Sequence, residues 1–187
     1  MYSRILVPLD GSKLAEQVVP YVRLMAGALK IPIRLINVFD PVPPGFADPG
    51  HGLDYTRISS GYRDQALEIL DRVKENLSDA GVAVSCTAKE GDPADQIISE
   101  AQRTPNTLVA MATHGRSGVG RWVMGSVTDK VLQGTASPLL IIQAGEDDDP
   151  PEEVSLKNVI VPLDGSPLAE QILPYMRPLA KAMGLNV

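Results

Sequence analysis

The side chains best placed to bind a charged ligand lie between Leu108 and Val127, in the run LVAMATHGRSGVGRWVMGSV. Leu108 to Ala112 is a short apolar run of the kind a buried parallel strand shows. A stretch with Gly115, Gly118 and Gly120 follows, and a helical pattern begins at Gly125-Ser126. Strand, glycine loop and helix N-terminus in that order make a candidate phosphate cradle. The unpaired N–H groups and the positive dipole end of a helix start attract anions. Ser126 and Thr128 could add hydroxyl donors, and Arg116, with Arg121 as a second candidate, positive charge. Ser126-x-x-Asp129 is also a capping-box pattern, so Ser126 can cap the helix, bind phosphate, or do both. His114 has no nucleophile beside it in the sequence that would make it a catalytic base.

These residues need a frame. Arg4 to Pro8 is a buried strand ended by proline, and Asp10-Gly11-Ser12 is a tight turn able to cap the helix after it. In that helix Leu14, Val18, Val22, Met25 and Leu29 recur at helical spacing, and Pro20 should kink or break it. Ile31 to Phe39 is a second strand. A Pro- and Gly-rich loop spans Asp40 to Ser60, long enough to suggest a lid or an interface, and contains His51 without partner metal ligands. Gly61 to Ala80 is an amphipathic helix ended by Gly81, and Val82 to Ala88 a third strand. Asp92-Pro93 opens the next helix, and Leu108 to Ala112 is strand four. Gly125 to Gln133, closed by Gly134, is a helix, and Pro138 to Gln143 strand five. Alternating strands and helices predict an α/β fold: a doubly wound five-stranded parallel sheet with helices on both faces. Ligands bind such sheets outside the strand C-terminal ends, where strand order reverses. The loops after strands one and four and the end of strand two, at Val38, should meet there. Pro8, Leu9, Val38 and Met111 would supply apolar walls.

Composition narrows the classes of function. An apolar share of 44% with 21% charged residues is that of a globular protein, and a formal net charge of −6 disfavours nucleic acid as the main partner. Cys86 stands alone, which excludes an intrachain disulfide and fits a reducing cytoplasm. The start, MYSRILV, lacks the marks of a signal peptide, and no apolar run approaches the ~18 residues of a membrane helix.

The chain also repeats itself. Ile5 to Gln17, ILVPLDGSKLAEQ, recurs as Val159 to Gln171, VIVPLDGSPLAEQ, and Pro20-Tyr21 recurs as Pro174-Tyr175. The offset is a constant 154 residues (5 to 159, 21 to 175), the mark of an internal duplication. Residues 145–156, rich in Asp, Glu and Pro, form an acidic linker between a first domain at 1–144 and the start of a second at 157–187. That second unit reads as a truncated repeat: one strand and one helix cannot bury a sheet. It should dock on the first domain or a neighbouring chain, or lack order. A helix there would expose Leu168, Ile172, Met176 and Leu179 unless covered.

Val7-Pro8-Leu9-Asp10-Gly11-Ser12 resembles the N-terminal signature of the universal stress protein family. Ala112-Thr-His-Gly115, nine residues, then Gly125-Ser126 resembles its nucleotide motif, with Ala112 in place of the first glycine. The likeness runs from Met1 to Gln143, and the duplication matches tandem members. It implies sheet order 3-2-1-4-5 in an adenine-nucleotide alpha-hydrolase-like architecture, and binding of ATP or ADP, with Mg where the nucleotide carries it. By that resemblance Asp10 lies near the adenosine, Gly115, Arg116 and Gly118 wrap the phosphates, Gly125, Ser126 and Thr128 offer them donors, Ala112 stands beside the ribose or phosphate, and Ser12, His114 and Val127 also belong to the nucleotide site. Hydrolysis should be slow at best: no Walker lysine, paired metal carboxylates or general base is found. The alternative is a nucleotide-free interaction module, a homodimer or tandem pair joined through the apolar strand Pro138 to Gln143. Adenylate-forming and dinucleotide-binding enzymes are disfavoured, because neither a Ser-Gly-Gly loop nor G-x-G-x-x-G follows strand one.

Overall fold

The structure is a computed structural model that describes residues 2–40, 55–113, 125–144 and 149–187. Five parallel strands form one sheet: β1 (Arg4–Pro8), β2 (Ile33–Phe39), β3 (Val84–Glu90), β4 (Thr107–Thr113) and β5 (Leu139–Gln143). Their order is β3-β2-β1-β4-β5, so β1 and β4 flank the point where the winding reverses. Ile5 pairs with Ile33 on one side and with Leu108 on the other.

Branched residues build the central strands because both their faces are covered. On one face Ile5, Val7, Ile33 and Leu35 pack with residues of α2 (Val19–Leu29) and α3 (Tyr55–Asn76). On the other, Leu6, Ile36, Val109 and Met111 pack with α4 (Pro93–Gln102) and α5 (Ser126–Gly134). Pro20 divides the first helical segment as expected. α1 (Lys13–Glu16) ends before Gln17, and Pro20 sits in the first turn of α2, where its missing N–H costs no helical bond.

Several boundaries differ from the sequence expectation. The long loop does not reach Ser60, because α3 already begins at Tyr55. β3 extends through Lys89 and Glu90, polar residues held by pairing with Val38 and Phe39. Gly134 does not follow α5 but lies inside it, and Thr135 is the C-cap. A Cβ at Gly134 would meet Ile98 of α4 at 2.6 Å, so this glycine permits close helix approach rather than ending a helix. The αL caps fall to Lys30, after α2, as well as to the expected Gly81.

The second copy of the repeated sequence packs against the sheet and helices formed by the first. Its helix α6 (Leu173–Met183) lies 154 residues after α2, packs against it, and adds Tyr175, Leu179 and Met183 to the core beside α2. The Tyr2 and Tyr175 rings lie 5.7 Å apart. Val159 to Leu163 forms no strand; only Asn158 bridges to Asn186. Ile160 and Leu168 stay 91% and 75% exposed, whereas Leu6, the counterpart of Ile160, is fully buried. The contact seen between the repeats runs through helices α2 and α6 and the Tyr2–Tyr175 ring pair.

Candidate functional site

A cavity of about 300 Å³ opens at the C-terminal ends of β1, β2 and β4. β1 and the turn after it contribute Pro8, Leu9 and Asp10; β2 contributes Ile36 and Val38; β4 contributes Met111, Ala112 and Thr113. Gly125, Ser126, Val127 and Thr128, at the start of α5, form the opposite rim. These were the expected residues except for Ile36 and Thr113. Leu14 and Ala15 of the α1 turn, and Pro93 and Ile97 of α4, also line it and were not expected. Sequence periodicity marks Ile97 as inward but cannot say that its helix abuts a ligand space. His114, Gly115, Arg116 and Gly118 lie outside the described residues.

Local chemistry fixes both rims. Asp10 Oδ1 accepts from the Ser12 N–H at 2.9 Å and from its hydroxyl at 2.6 Å, an Asx turn completed by Gly11 at φ +85°. Ser12 Oγ in turn accepts from the Ala15 N–H and caps α1. Ser12 is thus committed to the turn and is not part of the cavity wall. At the other rim Gly125 is the N-cap of α5, and Ser126 is its first residue. The capping box expected from Ser126 and Asp129 does not form: no side chain caps this helix, and Asp129 Oδ2 accepts from Gln133 instead. The first N–H groups of α5 therefore have neither intrahelical nor side-chain cap partners.

Three further features bear on what the cavity can hold. A Cβ at Gly125 would meet nothing within 4 Å, so the space beside the helix start is open. The Thr113 hydroxyl is buried and has no hydrogen-bond partner among the described residues. Ala112 lies in regular strand paired with Ile142, is one of the residues that line the cavity, and packs on the sheet face of Leu108 and Ala110. Asp92 caps α4 beside the cavity. The Asp95 N–H, and then Lys130 of α5 at 3.4 Å, hold its carboxyl below the usual range. Among the described residues no group of His, Cys, Asp and Glu could hold a metal ion, and no helix is long and apolar enough to cross a membrane.

The sequence profile of the universal stress protein family matches residues 1–143. The chain belongs to the universal stress protein family. Universal stress protein MJ0531 of Methanocaldococcus jannaschii is 28% identical over 143 residues, which cover 76% of this chain and 83% of the relative. A universal stress protein structure from Archaeoglobus fulgidus superposes with a TM-score of 0.73 at 22% identity, covering 99% of this chain and 65% of the other. Another, from Arabidopsis thaliana with AMP bound, gives a TM-score of 0.51 at 18% identity and covers 77% and 93%. At such identities the structures establish a shared fold. This universal stress protein has the adenine-nucleotide alpha-hydrolase-like α/β architecture, with its cavity at the strand ends where that fold places ligand sites.

Proposed function

We propose that the chain is an ATP-binding universal stress protein, a regulatory module in which hydrolysis of ATP is slow at best. The observation that carries this is the pairing, in one cavity, of apolar walls with the uncapped start of a helix. A purine base suits Pro8, Leu9, Val38 and Met111. Asp10, through the oxygen not used in its turn, would accept from the ribose or the base. The N–H groups of Ser126, Val127 and Thr128 would take phosphate oxygens, and His114, Gly115, Arg116 and Gly118 are assigned to the nucleotide by the family motif alone. The orphaned Thr113 hydroxyl and the open space at Gly125 fit a polar ligand at the phosphate end. Mg, if present, would arrive on the nucleotide's own phosphates. Cytoplasmic residence and a division into 1–144, 145–156 and 157–187 belong to the same proposal. The relative with AMP bound supports the ligand class.

Equilibrium dialysis with ATP and ADP at millimolar concentration, with magnesium, tests this. Retention of nucleotide is expected, and absence of both sinks the proposal while leaving the fold intact.

A second function rests on the sheet edge. Leu139 to Ile142 of β5 remain half-buried with no strand beyond them among the described residues, which suits pairing with another copy. Ile141→Lys would then shift the mass in sedimentation toward monomer, and an unchanged mass rejects this contact.

A further inference from the structure

We infer that Asn37 is a positioning residue for the candidate site: its side-chain amide fixes the end of β1, and with it the base-binding side of the cavity. The inference rests on the nucleotide proposal. Strand β2 alternates, with Ile36 and Val38 on the cavity side and Asn37 turned to the opposite face. That face is apolar, and Asn37 is only 5% exposed within it. An amide buried among Val, Leu and Ile is costly unless bonded, so its presence calls for a partner. The partner is Leu9, whose carbonyl accepts from Asn37 Nδ2 at 2.8 Å.

Leu9 lies just past the last residue of β1, and its N–H donates to the Ile36 carbonyl at 2.9 Å. Both backbone groups of Leu9 are thus tied to β2, beyond the end of strand β1. Pro8, Leu9 and Asp10 line one side of the cavity and Ile36 and Val38 another. The Asn37 bond therefore sets how far apart those walls stand and how the Asp10 peptide is turned. Without it the Leu9 carbonyl, in a residue only 3% exposed, would lose its side-chain donor, and only the Leu9–Ile36 bond and the Asp10 turn would hold the Leu9–Asp10 peptide.

The test compares wild type, Asn37→Leu and Asn37→Asp, with ATP affinity and folded fraction measured from pH 5.5 to 8.5. A protonated Asp can donate to the Leu9 carbonyl; an ionised one cannot. Burial beside a carbonyl raises the pKa of such a carboxyl, so it protonates as pH falls within this window. Asn37→Leu is expected to bind about tenfold more weakly at every pH. Asn37→Asp should bind as weakly at pH 8.5 and recover toward wild type at pH 5.5. A purely structural loss would not make affinity titrate at constant folded fraction. Folded variants that bind within twofold of wild type, or an Asn37→Asp to wild-type ratio flat in pH, overturn the inference.

Should the variants unfold, proton exchange of the wild-type Asn37 amide decides. Slow exchange that slows further on adding ATP supports the inference, and exchange at the rate of a free amide overturns it. A wild type that fails to bind nucleotide sinks the nucleotide proposal and this inference's role with it, whereas binding with indifferent variants sinks the inference alone.

Discussion

Gly134 of α5 and Ile98 of α4 stand so close that a Cβ on Gly134 would lie 2.6 Å from Ile98 Cδ1, the far end of that side chain, which must turn away to admit it. Gly134→Ala should therefore cost about 1 kcal/mol or more, because overpacking outweighs the helix propensity that alanine adds. In an Ile98→Val background, which deletes that methyl, the same change should become neutral or stabilising. Urea unfolding of the four proteins in the cycle checks this, and a coupling below about 0.5 kcal/mol would show that Ile98 simply moves aside.

Glu100, 4% exposed, ties three strand starts together at the end of the sheet away from the cavity. Arg4 and Arg103 approach it at 3.4 Å and Arg34 at 3.6 Å, and Arg4 also bonds Thr107 at the start of β4. Oε2 faces Arg103, and Oε1 faces Arg34 Nε, at ion-pair distance without hydrogen-bond geometry, so Arg4, which donates to Oε1 from Nη1, holds the carboxylate most directly. Glu100→Gln should lose about 3 kcal/mol, the low end of the range for breaking a buried pair, since Arg34 and Arg103 reach solvent. Arg103→Ala, at a side chain 60% exposed, should lose under about 1 kcal/mol in the same urea measurement.

Ala112 places a methyl group where the family motif has a bare backbone. Its strand geometry demands no glycine, because positive φ among described non-glycine residues occurs only at Lys30 and Asn106. Ala112→Gly should then tighten ATP binding severalfold by calorimetry while lowering stability by about 0.5–1 kcal/mol, the cost of glycine in a strand. Unchanged or weaker affinity would show that the methyl group does not crowd the ligand.

Burial, and then the neighbouring Asp71 carboxylate, push the Cys86 thiol above its usual range. Less thiolate at a given pH means slower alkylation, so Cys86 should react with iodoacetamide at pH 8 more slowly than a free thiol, and Asp71→Asn should speed it. The sign for stability follows from linkage. A folded-state pKa raised above the unfolded value contributes stability that is present below the unfolded pKa and lost as pH rises through the folded one. Wild type should lose more stability than Cys86→Ala on the alkaline side, in thermal melts from pH 8 to 10.

The central strands were legible because a strand covered on both faces must be apolar at every position, as Ile5, Leu6 and Val7 are. Pro8 to Asp10, Val38, Met111 and Ala112 were legible at the cavity because the order reverses between β1 and β4, whereas Ile36 and Thr113, which also line it, were not. What failed were features set by partners distant in sequence. Gly134 looked like a helix stop because Ile98 cannot be seen beside it. The Ser126 capping box failed for a local reason instead: Gly125 is the N-cap, and Gln133, four residues on, bonds Asp129. Asn37 carried a visible signal, a polar residue inside an apolar strand, but its meaning needed the Leu9 carbonyl.

The second repeat reproduces more than sequence. The Ser166 N–H donates to Asp164 as Ser12 does to Asp10, Ser166 caps Ala169 as Ser12 caps Ala15, and Val159 donates to the Asn186 carbonyl as Ile5 does to Pro32. All this forms although Ile160, its Leu6 counterpart, has no sheet to enter. The turn and its cap are therefore encoded by contacts a few residues apart, and loop closure of a few tens of residues completes the unit. Such low contact order makes this the piece of the fold that can assemble first, ahead of the distant strand pairings on which the cavity depends.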